Sequence, residues 1–170
     1  MKPLLLLGLA VLIVLQGTWL PHVQVAGVMP DAVLVVLSSW ALLAGGVAVA
    51  PLAAAAGVLL DLIAGAPLGL SAAALLTAIL CVGWWRGTVF FTGIGVFVVG
   101  AVVATLAYDA TLLVGLQSLH DPINWRTALR QVVGPSALFN GLLALPVGYA
   151  CSALARRLGT LDSVAHLRAG

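Results

Sequence analysis

Glutamate does not occur in this chain, lysine occurs once, and charged residues of every kind make up only 7% of its 170 residues. Soluble domains carry about 25% charged residues, because their surface has to be wetted. A water-exposed globular domain is therefore excluded. Seven basic residues against five acidic ones leave a net charge of +2, too small and too scattered for a nucleic-acid surface, so no nucleic acid is expected as a partner. Of the two cysteines, Cys81 and Cys151 each sit inside or at the end of an apolar run with no second ligand at a metal-binding spacing, and both read as packing residues. His22, His120 and His166 lie outside the apolar runs and far apart in sequence, so neither a metal nor a cofactor is expected. Nucleophile and phosphate motifs are missing as well: there is no G-x-S-x-G, no P-loop and no H-E-x-x-H, and the chain is not expected to be an enzyme.

What the chain does contain is hydrocarbon, 63% of it apolar. A bilayer core about 30 Å thick takes roughly 20 apolar residues per helix, so the composition predicts an all-α polytopic membrane protein, residues 1–170 forming a single transmembrane domain. The first apolar run, Pro3 to Leu20, follows Lys2 but has no small-x-small cleavage site close behind it, and is read as a retained helix that ends at Trp19 and Pro21. Pro30 and Asp31 then open a second helix, with Asp31 as its N-terminal cap. A single helix from Asp31 to Ile63 would run about 50 Å, so the stretch is divided at Gly45-Gly46 and a third helix covers Val47 to Ile63. A tight turn over Gly65 to Gly69 leads into helix four, Leu70 to Trp85, and helix five is expected from Thr88 to Leu116. Asp121 to Gln131 reads as an amphipathic surface helix with Trp125, Leu129 and Val132 on one side and Arg126 and Arg130 on another. Helix six, Val133 to Ala155, should kink at Pro146 and ends in Arg156-Arg157, ahead of a short tail from Leu158.

Six helices with both termini cytoplasmic put Lys2, Arg86, Arg156, Arg157 and Arg168 inside and leave only Arg126 and Arg130 outside. Five helices would put three inside and four outside, so the positive-inside rule favours six spans in a bacterial inner membrane.

An ionisable group inside the membrane costs about 2.5 to 3.5 kcal/mol at a helix centre and is the default place to look for function. Asp61, late in helix three, and Asp109, late in helix five, qualify. They are expected to share one polar spot with Thr105, Ser71 or Arg130, either as a proton or cation site or, the reading preferred here, as hydrogen-bonded structural acids that set helix register. Asp31 is explained by its cap alone.

The segment Met29-Pro30-Asp31 before an apolar helix, followed by Gly57-Val58-Leu59-Leu60-Asp61-Leu62-Ile63-Ala64-Gly65-Ala66-Pro67-Leu68-Gly69-Leu70, resembles the bacterial rod shape-determining protein MreD family. Gln16 late in helix one, Tyr108-Asp109 in helix five and the basic C-terminal end extend the resemblance over most of the chain. One departure is the Gly45-Gly46 turn, which has no basic residue where family members commonly carry one. The resemblance implies a non-enzymatic scaffold of the cell-elongation machinery that binds MreC directly and, through it, MreB, the glycosyltransferase RodA and a class B penicillin-binding protein, within membrane lipid. It also implies an architecture similar to the S-components of energy-coupling-factor vitamin transporters, which supplies the alternative function. The spans here carry few polar side chains to orient a vitamin, which favours the scaffold. Small residues mark surfaces where helices approach closely. Ala53 with Gly57 on helix three is assigned to neighbours within the fold, which leaves Gly93 with Gly100 on helix five and Gly141 with Gly148 on helix six; the partner's helix is expected on one of these two, helix five in preference, continuing beside Arg126 and Arg130.

Overall fold

The computed structural model describes residues 3–18, 30–85, 93–119 and 124–157, and every regular element among them is helical. They are α1 (Pro3–Thr18), α2 (Ala32–Ala44), α3 (Gly46–Ala64), α4 (Leu70–Trp85), α5 (Gly95–Leu119), α6 (Trp125–Ala128) and α7 (Gly134–Arg157), with a π-helical turn, Leu129–Val133, joining α6 to α7. The joined pieces form one rod, so the described residues make six helical rods. Three of these, Gly46–Ala64, Gly95–Ser118 and Trp125–Arg157, are long and apolar enough to cross a membrane. The expectations resting on Lys2, Trp19, Pro21, His22, Met29, Arg86, His120, Asp121, His166, Arg168 and the tail from Leu158 lie outside the described residues.

The division at Gly45 holds. Its backbone adopts φ +98°, which ends α2 with the Gly45 N–H on the carbonyl of Ala41, and α3 starts at the next residue. α2 is the central strut. Val33, Leu34, Val35, Leu37, Ser38, Ser39, Ala41 and Leu42 are all buried, and the helix touches α1, α3, α4, α5 and α7. A helix apolar on every side has to be enclosed by others.

α3 and α4 form an antiparallel hairpin with close backbone contact. A Cβ on Gly57 would collide with the backbone of Ala72, and one on Gly46 would stand 2.7 Å from the Ile79 carbonyl oxygen and 3.0 Å from Cα of Gly83. The two contacts lie eleven residues apart on both helices, so one register runs between them. Where lipid offers no hydrophobic reward for association, such close dispersion contact is what holds helices together.

Two expectations about element boundaries are corrected. Helix five begins at Gly95, because Gly93 sits at φ +104° in a bend whose carbonyl accepts from the Val96 N–H at 3.4 Å. Gly93 is thus ahead of the helix, not on it. The expected separate surface helix, Asp121 to Gln131, is helical from Trp125 but continues without a break into α7. Pro135 explains the π turn: lacking an N–H, it cannot donate to the Gln131 carbonyl, and the preceding turn widens so that the Gly134 N–H reaches the Leu129 carbonyl. Pro146 lies inside α7 without ending it.

Candidate functional site

The polar side chains of an apolar bundle mark the place to look for function, and here they gather at the ends of α2 and α4. The Gly57 to Leu70 block explains itself residue by residue. At the end of α3, Gly65 takes the left-handed conformation, φ +63°, and both its N–H and that of Ala66 return to the Asp61 carbonyl. The chain turns through Pro67, and the Gly69 carbonyl accepts the first bond of α4 from the Ala73 N–H at 2.9 Å. Gly69 therefore occupies the capping position of α4 with no side chain to cap it.

Asp61 supplies the cap from the preceding helix. Completely buried, it accepts from the Gly69 N–H at 2.8 Å through Oδ2 and from the Ser71 N–H at 3.0 Å through Oδ1. Each otherwise orphaned donor at the start of α4 is satisfied. The expectation from the sequence is a hydrogen-bonded acid that sets helix register; the bonds seen are those of a cap on α4.

Asp31 does more than the expected capping. Its Oδ1 accepts from the Leu34 N–H at 2.9 Å, which caps α2, and also from Nε2 of Gln16 on α1 at 2.7 Å. Gln16 Oε1 in turn accepts from the Val33 N–H at 2.7 Å. The Asp31 N–H donates to Oδ1 of Asn140 on α7 at 2.9 Å, the Asn140 amide donates to Oγ1 of Thr105 on α5 at 3.0 Å, and Thr105 donates to the Ala101 carbonyl at 2.8 Å. One chain of bonds therefore ties α1, α2, α7 and α5 together. Asn140 and Thr105 are each only 1% exposed, and leaving either unpaired would be costly.

Tyr108, partly buried on α5, packs against the core of the bundle. No hydrogen bond joins Asp61 to Asp109 among the described residues. Asp109 differs from its companions in that its buried Oδ2 has no partner among the described residues. Neither Arg130 nor Arg126 reaches the cluster: both are exposed.

The glycines expected to receive a partner are otherwise engaged. Gly100 is buried, and a Cβ there would stand 2.7 Å from Cδ1 of Leu42 on α2. Gly141 faces Val102 and Val98, and Gly148 faces the Phe97 ring. All three serve packing within the bundle. Gly93 is exposed in its bend, so Gly93 and Gly100 do not make one docking stripe. Asn140 was missed in reading the sequence, although a lone amide inside an otherwise apolar helix is itself a signal of a hydrogen bond across helices.

Fold and site together define a helical protein with apolar membrane-length helices, in which buried Asp61, Thr105 and Asn140 join one helix to another. No family model, curated protein or solved structure matches the chain.

Proposed function

We propose that this protein is a non-enzymatic membrane scaffold of the bacterial rod-shape machinery, similar to MreD, which crosses the inner membrane six times with both termini cytoplasmic and binds MreC. Through MreC it would be coupled to MreB, RodA and a class B penicillin-binding protein. The observation that carries this reading is the use made of the polar residues. Gln16, Asp31 and Asp61, which carry the resemblance, close on backbone groups and on one another, as a rigid framework requires. A vitamin-binding subunit needs the opposite, polar groups converging on a cavity. Neither of two surface grooves, one along α5 and α7 and one between the Gly45 turn and the end of α4, is lined by any of these acids.

Co-purification tests the proposal. The tagged protein, expressed with MreC on the one hand and with a coupling subunit and ATPase pair on the other, should retain MreC alone. It should also restore rod shape to cells depleted of their own MreD. Retention of the ATPase module, or rescue failing while the protein is inserted and folded, would refute the scaffold reading.

A further inference from the structure

Alongside the contact between α5 and α7 runs an apolar furrow of about 380 Å³, lined by Val98 and Val102 on one side and by Gly134, Ala137, Leu138, Gly141, Leu142 and Leu145 on the other. Leu138 is 71% and Leu142 64% exposed, so the furrow is open along its length. From Gly134 to Leu145 it extends about 17 Å along the α7 axis at 1.5 Å per residue. One leaflet of a bilayer core about 30 Å thick is close to 15 Å deep. A helix of another protein would cross both leaflets and outrun this furrow. An acyl chain of one leaflet would fill it end to end.

The charge at its mouth selects the head group. Arg126, Arg130 and Gly134 follow one another at intervals of four residues, and Leu138, Gly141 and Leu145 continue the same stripe. Both arginines are exposed, and neither forms a hydrogen bond or ion pair among the described residues. Arg130 stands about 6 Å beyond the end of the furrow and Arg126 a further turn out. Trp125, 39% exposed, lies beside them as an interfacial aromatic. Two cations, no nearby acid among the described side chains of α6 or the π turn, and an acyl-length furrow beneath them form a complementary pair of features. We propose that this face binds an anionic phospholipid, with its phosphate on Arg126 and Arg130 and one acyl chain along Gly134 to Leu145. The site is independent of whether the scaffold reading holds.

Native mass spectrometry of the purified full-length protein tests it, with palmitoyl-oleoyl phosphatidylglycerol and the matching phosphatidylethanolamine as probes. The protein should retain phosphatidylglycerol with a preference of about thirty-fold, the ratio that corresponds to ~1 kcal/mol for each arginine near an anionic head group. The double variant Arg126→Gln/Arg130→Gln should bind the two lipids equally. Leu142→Trp, which fills the furrow from an exposed position and leaves the α5–α7 contact alone, should weaken both; Leu138→Trp serves the same purpose should the first not fold. Equal retention of the two lipids by the unmodified protein, or a preference that survives loss of both arginines, overturns the proposal. So does a photo-crosslinking residue at Leu142 that captures a polypeptide and no lipid.

Discussion

Replacing Asp61 separates a structural carboxylate from a functional one, because its two oxygens have countable duties. Oδ2 accepts from the Gly69 N–H and Oδ1 from the Ser71 N–H, at 2.8 and 3.0 Å. A hydrogen bond to a charged group contributes about 1.5–3 kcal/mol. Asp61→Leu removes both acceptors and leaves the two donors at the start of α4 without the side chain that caps them. The expected loss is about 3–6 kcal/mol, a large part of the ~5–15 kcal/mol that stabilises a typical protein. Asp61→Asn keeps one carbonyl oxygen for one donor and turns its amide N–H₂ towards the other, so it should lose about half as much, ~1.5–3 kcal/mol. Unfolding of the purified variants by sodium dodecyl sulfate, followed by circular dichroism, gives the ranking: wild type, then Asn, then Leu, in steps of more than tenfold in the unfolding constant. MreC co-purification should fall only in proportion to the folded fraction. Asn and Leu variants that lose fold and partner equally would mean that the charge itself is what matters, and a Leu variant as stable as the wild type would refute the capping role outright.

Asp109 provides the contrast. Its Oδ2 makes no bond among the described residues, so Asp109→Leu should leave stability unchanged or raise it, and loss of rod-shape rescue by a folded Asp109→Leu protein would reveal a proton or cation role in place of a structural one. Asn140→Leu leaves the Asp31 N–H and the Thr105 hydroxyl with one partner fewer each and should lower stability by about 1–3 kcal/mol; adding Gln16→Leu should cost less than the sum of the two single changes, because both act on Asp31, and strict additivity would show that the chain of bonds is not one unit. Gly57→Val drives a side chain into the Ala72 backbone and should destabilise the α3–α4 hairpin in the same assay, whereas Gly93→Leu, at an exposed bend, should cost only the strain of its positive φ, about 1–2 kcal/mol. A cysteine placed at Asn124 should react with an impermeant thiol reagent from the periplasmic side of spheroplasts, and a reporter fused after Gly170 should read as cytoplasmic; either result reversed would overturn the proposed topology.

The elements themselves were legible in the sequence, because apolar runs, prolines and glycines act locally. Helix four was read at its observed limits, Leu70–Trp85, and the division at Gly45 followed from the limited depth of a bilayer. The same local reasoning missed the start of α5 and the continuity of α6 with α7, since a π turn ahead of Pro135 preserves a helix that a proline and a polar segment argue against. The site was legible only in part. Asp31 reads as a cap from its place before helix two, and Asp61 as a structural acid because the spans hold no Lys, Arg, His or Glu to form a relay with it, yet the donors they serve come from Gly69, Ser71 and Gln16, which composition and spacing cannot match to them. Small residues show a similar limit. Gly57 and Gly100 announce that something comes close, but whether it is a neighbour in the bundle or another protein depends on which way each helix faces. Tertiary structure decided that by setting the Ala72 backbone against one and the Leu42 side chain against the other, because close packing inside the bundle uses the same small side chains that an external partner would.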